Sequence, residues 1–422
     1  MGSSTSDLPG ERGQGVARAF GVPRVVVLLG VVSLLNDLSG EMITPLIPLF
    51  LVGALAAPVA VVGLVEGAAD STTALLKVWV GHRSDALSKR KPYIVGGYGL
   101  SAAAKPLLAL STVWPLALAA RVVDRAGQGI RGAPRDAAIA DATPPEILGR
   151  AFGVHRAFDT AGAIGGAVLA LALIALFAGA AAATYGDFQK VFLVASIPGA
   201  LSVALLVFGL REAQLHDGSR RASGSAPKGL VAAVRSLPAP VRRFLAVSGL
   251  FAFGNFTLGL FVLRVAEFAG GTAVALLSYI GFNVVATVVS FPAGVLADSR
   301  GRRPLVAAGL LLFVGAAVAF AFVSSFVEAL LAFLLYGAFA GVWEASYRAY
   351  MSEICPRDLR GTALGAQGTV LAVLTLPGSA VAGVLWTAFG PQAAFLFGAA
   401  VGAGALLLFV GLRPAKVNAA AG

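Results

Sequence analysis

Two carboxylates four residues apart, Asp37 and Glu41, and a second pair at the same spacing, Glu66 and Asp70, lie inside long apolar stretches of this chain. At that spacing each pair projects from one side of its helix, so its two charges repel unless one is protonated or a cation is close. A charge at bilayer depth costs at least about 2.5–3.5 kcal/mol on insertion scales, which makes retained charges candidates for function. A carboxyl whose charge changes with solvent access is the group that can link proton movement to conformation. The competing reading is structural ion pairing, with Lys105, Arg121 or Arg156 as the available cations. Charge is densest in RVVDRAGQGIRGAPRDAAIAD, where Arg121, Arg125 and Gln128 share one helical face and Asp124 and Arg131 another. Arg131, Arg135, Asp136 and Asp141 fall toward the end of that stretch and are expected to form an ion-pair cluster with the charged turns. Arg156 and Asp159, Arg264 and Glu267, and Glu344 and Arg348 complete the set of paired charges in apolar segments. His155 sits near a span end, where a surface or structural role is expected.

These groups need apolar elements to hold them, and composition supplies little else. Hydrophobic residues make up 58% of the chain and charged residues 13%, with mean hydropathy +0.84, against roughly 25% charged residues in soluble domains. The chain is therefore read as an all-α polytopic membrane protein in contact with a lipid bilayer. Its net charge of +11 lies mainly in short turns between apolar runs, so no nucleic-acid partner is expected. Apolar runs of about 20 residues divide the chain into a cytoplasmic tail (1–23), six spans (24–210), a cytoplasmic linker (211–240), six further spans (241–412) and a second cytoplasmic tail (413–422). Thr44-Pro45 and Pro48 predict a kink in the first span, because proline removes backbone donors. With both termini inside, Lys190 is the one Lys or Arg in an external loop, which satisfies the positive-inside rule. No cleavable leader is expected before the first span, and the cell inner (cytoplasmic) membrane is the expected location.

The chain also repeats itself. GHRSDALSKRKP from Gly81 and GVLADSRGRRP from Gly294 place a glycine, an aspartate four residues on and a basic cluster at matched positions. Asp85 and Asp298 are 213 residues apart, as are Arg90 and Arg303, and Arg135 and Arg348. Each copy is a short charged turn between two spans. This turn resembles the signature loop of the major facilitator superfamily, and Arg125-Ala-Gly-Gln128-Gly129 resembles the superfamily's helix-4 motif. Together with SLLNDLSGEMITPLIPLFL and GRAFGVHRAFDTAGAIGG, helix 4 also looks like a widespread bacterial subgroup of that superfamily. The resemblance implies twelve transmembrane helices in two pseudo-symmetric six-helix bundles, with helices 1, 4, 7 and 10 lining a central cavity. It gives Arg125 a role in proton transfer or substrate contact. The proton-coupling candidates are then Asp37, Glu41, Arg125, Asp159 and Glu344, and the substrate-cavity candidates Asn36, Arg121, Gln128, Asn255, Trp343 and Arg348. Gly81, Asp85, Arg90, Gly294, Asp298, Arg302 and Arg303 are the expected gating-loop residues.

The implied function is secondary active transport of a small organic solute, coupled to protons, by a monomer that needs no cofactor. Gly162, Gly165 and Gly166 form a small-residue face resembling the antiporter motif of drug exporters, so efflux is the expected direction. Uptake of an anionic solute is the alternative, since arginines facing a cavity can pair with carboxylate or phosphate. A non-transporting sensor or scaffold is the reading from another class, and it leaves the charges on all four cavity helices unexplained. Enzyme and pump readings lack their motifs: there is no GxSxG, no HExxH and no Gly-Lys dipeptide, with one cysteine and three scattered histidines. No metal site is expected. By the same resemblance Asp85 and Asp298 hold the cytoplasmic side closed, so Asp85→Asn is expected to bias the carrier toward inward-open. Unchanged transport together with unchanged cytoplasmic cysteine accessibility in both neutralised variants would contradict this.

Overall fold

A computed structural model describes residues 18–87, 90–210, 234–356 and 359–412. Residues 211–233 of the central linker, residues 1–17 of the first tail, the whole second tail, and the surroundings of Gly81, Asp85 and Asp298 in the last turns of their spans lie outside the described residues. A two-stranded hairpin, β1 (Arg18–Ala19) and β2 (Val22–Pro23), leads into the first span. Among the described residues there are twelve spans, numbered here in chain order. The N-terminal six are Arg24–Ala54, Val59–Leu87, Lys91–Ala109, Trp114–Asp141, Leu148–Phe177 and Tyr185–Gly209. The C-terminal six are Ala239–Ala269, Thr272–Arg300, Arg302–Phe322, Phe326–Ile354, Arg360–Phe389 and Pro391–Gly411. Ten contain stretches long and apolar enough to cross a bilayer. The exceptions are span 3, which carries Lys91 and Lys105 along with several Gly and Tyr, and span 4, which carries the charged stretch.

Span 1 is α-helical from Arg24 to Glu41 and then irregular. A 3₁₀ turn (Thr44–Leu46), a short α turn (Ile47–Leu49) and a π turn (Phe50–Ala54) follow, as Pro45 and Pro48 withdraw two donors and Thr44 Oγ1 donates to the Gly40 carbonyl at 3.0 Å. Span 7, expected unbroken, is interrupted between Gly254 and Leu258 without any proline. Side chains meet the freed backbone at two points: the Thr257 N–H donates to Ser379 Oγ (2.9 Å) and Thr257 Oγ1 accepts from the Gly259 N–H (3.3 Å), while beside them Asn255 Oδ1 accepts from the Tyr336 hydroxyl (3.1 Å).

The two halves pack by the same scheme. Span 1 lies against 5 and 6, span 4 against 2 and 3, and span 3 against 6; shifting each number by six gives the contacts of the C-terminal half. The basic turns repeat in detail. Arg90 pairs with Asp141 at 2.8 Å and Arg302 with Glu353 at 3.8 Å, while Lys91 donates to the Leu210 carbonyl and Arg303 to the carbonyls of Val410 and Leu412. In each half one cation therefore meets the acidic end of the fourth helix, and its neighbour meets the carbonyls that end the sixth, where the helix dipole favours positive charge. These contacts stay within a half.

Between halves, span 2 packs on span 11 and span 5 on span 8. Four side-chain hydrogen bonds join the halves between described residues: Ala60 N–H to Thr387 Oγ1 (3.1 Å), Ser71 Oγ to the Ala372 carbonyl (2.7 Å), Ala183 N–H to Thr272 Oγ1 (2.8 Å) and Tyr279 to Glu41 (2.9 Å). All lie between mid-depth and the face opposite the basic turns, called here the far face. Small residues make this closure possible: a β-carbon on Gly63 would run into the Ser379 carbonyl, and one on Gly383 would come within 2.8 Å of the Ala60 backbone. Gly63→Val is expected to push spans 2 and 11 apart at the far face. Distances between spin labels at the far ends of spans 1 and 7 should lengthen, and an unchanged distribution would refute the packing argument.

Candidate functional site

Span 1 delivers Asp37 and Glu41 at the end of its regular helix, one turn apart, to a cavity of about 580 Å³ between the halves. Spans 2, 4 and 5 add Lys77, Gln128, Arg131, Arg135, Arg156 and Asp159, and span 8 closes the other side with Tyr279, Asn283, Val284, Thr287 and Val288. The wall from the N-terminal half is thus charged with both signs, whereas the wall from the C-terminal half is neutral. Asn36, behind this wall and buried, donates from Nδ2 to Asp37 Oδ1 at 3.3 Å. Glu41 Oε2 accepts from the Tyr279 hydroxyl at 2.9 Å.

Arg125 approaches Glu41 electrostatically from span 4 without an ion pair between described residues. Its Nη1 donates to Gln128 Oε1 at 2.8 Å, and its Nε is buried with no partner. Arg131 Nη1 donates to Ser101 Oγ at 2.8 Å, and its guanidinium lies 4.4 Å above the Tyr98 ring. Arg135 donates to Ser33 Oγ (2.9 Å) and to Asp136. Of the ion-pair cluster expected at this end of span 4, Asp141 alone reaches a charged turn among the described residues; Arg131 and Arg135 face the cavity, since residues four apart keep one helical face.

Arg121 does not line the cavity. It is 2% exposed and forms a bidentate pair with Glu66, Nε to Oε1 at 3.0 Å and Nη2 to Oε2 at 2.9 Å, with Asp124 Oδ2 at 3.4 Å from Nη1. Glu66 therefore takes the structural part, while its neighbour Asp70 feels the charge of Arg125 and, less, of Arg121. His155 is buried rather than at the surface, with Nδ1 3.5 Å from Asp159 Oδ2 and Nε2 without a partner. The C-terminal candidates are not brought to this cavity. Glu344 and Arg348 pair with each other at 3.1 Å, both more than half exposed, and Arg348 Nε also donates to the Tyr347 hydroxyl at 2.7 Å. Trp343 stacks on Tyr347 with centroids 5.2 Å apart, and Asn255 caps the break in span 7. Tyr279, Asn283 and Lys77 were not among the expected site residues, although Tyr279, Asn283 and Thr287 form an i, i+4, i+8 polar stripe in an otherwise apolar span.

Two pseudo-symmetric six-span halves enclosing a polar cavity near mid-depth define a multi-pass membrane transporter. Comparison with known proteins narrows this class. The sequence matches the Major Facilitator Superfamily over residues 29–289 and 244–421. It is 34% identical over 393 residues to an uncharacterised MFS-type transporter of Methanocaldococcus jannaschii, covering 91% of this chain and 94% of that protein. Similar solved structures include the nucleoside transporter NupG (TM-score 0.73, 13% identity, 92% of this chain and 98% of that one). A bacterial homologue of the human lysosomal transporter Spinster superposes with TM-score 0.75 at 16% identity, covering 92% and 96%. The chain belongs to the Major Facilitator Superfamily.

The Glu66–Arg121 pair generates a stability prediction. Glu66→Gln takes the bidentate counter-charge from a buried guanidinium and leaves it only the longer Asp124 contact at 3.4 Å, and breaking such a buried pair costs about 3–5 kcal/mol. A marked drop in the unfolding temperature of the purified protein is expected. The double variant Glu66→Gln/Arg121→Gln should recover part of it, and two additive losses would show that the pairing is not what holds spans 2 and 4.

Proposed function

We propose that this protein is a proton-coupled secondary transporter that moves a small organic solute by alternating access, with efflux as its direction. The observation that carries this reading is the placement of Asp37, Glu41 and Asp159 in one cavity that is shut toward the far face by the packing of span 2 on 11 and of span 5 on 8. The basic turns assign the opposite face to the cytoplasm, with Arg90, Lys91, Arg302 and Arg303 on that side and Lys190 on the far one. In this orientation the described conformer faces inward. Asp37 and Glu41 repel one another, Arg125 offsets only part of that charge, and so one carboxyl binds a proton when the cavity is closed to water. Arg125 then stabilises the ionised form when the cavity opens, which gives the two access states different proton affinities. Efflux is supported by the glycine face of span 5, where Gly162 and Gly166 pack against the backbone of Leu34 and Leu38 and so couple span 5 to the helix bearing the acids.

One observation favours a second reading. Lys77 and Arg156 line the cavity with exposed side chains and no carboxylate within ion-pair distance among the described residues. A solute with a carboxylate or phosphate would meet both, so uptake of an anionic solute is the alternative. Transport into proteoliposomes decides between direction and coupling. Glu41→Gln is expected to abolish gradient-driven transport while sparing substrate binding, with a weaker split for Asp37→Asn. If both variants still accumulate solute up the gradient with wild-type pH dependence, the proton travels on another group, and Asp159 and Glu344 are the next substitutions.

A further inference from the structure

We propose that Tyr279 is a positioning residue for the coupling carboxyl: its hydroxyl, carried by the C-terminal half, latches ionised Glu41 of the N-terminal half in the conformer closed at the far face. The latch loosens when Glu41 takes a proton. The inference rests on the reading of Glu41 as proton carrier for its functional meaning, though the latch itself stands on geometry alone.

Three of the four side-chain hydrogen bonds that join the halves run between a hydroxyl and a backbone group. The fourth, Tyr279 to Glu41 at 2.9 Å, alone ends on a group that can change charge. It is also the one direct hydrogen bond to Glu41 among the described residues. Elements packed around Glu41 bring charges but no ion pair. Asp37 precedes it on span 1, Arg121 and Arg125 approach from span 4, Arg156 and Asp159 line the same cavity from span 5, and Lys77 does so from span 2 with Asp70 deeper in that helix. Span 5 touches Glu41 through Gly166, where any β-carbon would come within 2.9 Å of the Glu41 β-carbon. From span 8, Tyr279 is the titratable group presented to it.

Tyr279 is held firmly. It is 5% exposed, its ring lies 6.2 Å from that of Phe282, and its carbonyl accepts from Asn283 Nδ2 at 3.0 Å. A phenol donating to a carboxylate makes a charge-assisted bond about twice as strong as one to a neutral acid. Closure at the far face is therefore favoured by ionised Glu41 and relaxed by its proton, which is the differential interaction a switch between two conformers requires. The latch lies at the floor of the cavity, immediately before span 1 becomes irregular, so parting the halves at the far face breaks it and hydrates the carboxyl.

The test uses the full-length protein in liposomes, with spin-label pairs across the far face, between about pH 5 and about pH 9. The far-face-closed population is expected to grow as pH rises. Tyr279→Phe should flatten that pH profile and lower the closed-to-open ratio at high pH by about tenfold or more, the effect of losing one charge-assisted hydrogen bond. Glu41→Gln removes the ionisable acceptor and should flatten the same profile, with the double variant no different from either single one. A wild-type profile in Tyr279→Phe overturns the proposal, and so does one in Glu41→Gln should the tyrosine variant fail to fold. If Glu41→Gln abolishes uphill transport but Tyr279→Phe keeps the wild-type profile, the latch is wrong and the proton-carrier reading stands. If both variants flatten the profile while Glu41→Gln still drives uphill transport, the latch stands and that reading falls.

Discussion

A guanidinium held at bilayer depth must find its counter-charge within the protein, and in this chain Arg121 finds it in Glu66, oxygen against nitrogen on both arms. Much of the N-terminal half depends on that pairing. It fixes span 2 against span 4 where both carry charge, and it removes one carboxylate of the Glu66/Asp70 pair from service. With Arg121 occupied and Asp124 beside it, the remaining cations of span 4 turn toward the cavity or into local bonds. Arg131 settles over Tyr98, Arg135 reaches Ser33 and Asp136, and Arg125 keeps one buried nitrogen without a partner near Glu41 and Asp70. The electrostatic character of the cavity is what remains after structural pairing has taken its share.

The two halves share a plan but not a chemistry. Both use a basic turn to meet the acidic end of the fourth helix and the carbonyl end of the sixth. Inside, the N-terminal half is stocked with ions, and the C-terminal half is built around aromatic rings: Phe251 meets Phe313, Phe339 and Trp343, and Phe261 stacks on Tyr336 with centroids 4.1 Å apart. Into the cavity this half presents the polar but uncharged side chains of Tyr279, Asn283 and Thr287.

Close approach at the far face is a matter of shape rather than attraction. Lipid chains are as apolar as the spans, so the halves gain by fitting, and Gly63, Gly67 and Gly383 let spans 2 and 11 touch backbone to backbone. The hydrogen bonds there are few and mostly backbone to hydroxyl, a surface that can part and re-form. Irregular turns in spans 1 and 7 lie on the same side of the molecule, where proline in one and side-chain capping in the other leave shorter rigid pieces.

Spans, duplication and family were legible in the sequence because each is written locally: apolar runs of bilayer length, a charged turn repeated about half a chain later, and proline in span 1. The acids that line the cavity, Asp37, Glu41 and Asp159, were legible as candidates as well, since any intramembrane charge stands out against 58% hydrophobic residues. Which acid pairs with which base was not. Arg121, Arg125 and Arg131 look alike along span 4; Arg125 bonds Gln128 one turn on, but only the packing of spans 2 and 3 around it assigns Arg121 to Glu66 and Arg131 to Ser101. The break in span 7 carries no proline to mark it, and the hydroxyl that accepts from its Thr257 N–H belongs to Ser379 on span 11, 122 residues away. Tyr279 and Glu41 are 238 residues apart, and no pattern along either helix points to the other. Their bond exists because two separately folded halves meet at one face, and that meeting belongs to the tertiary structure alone.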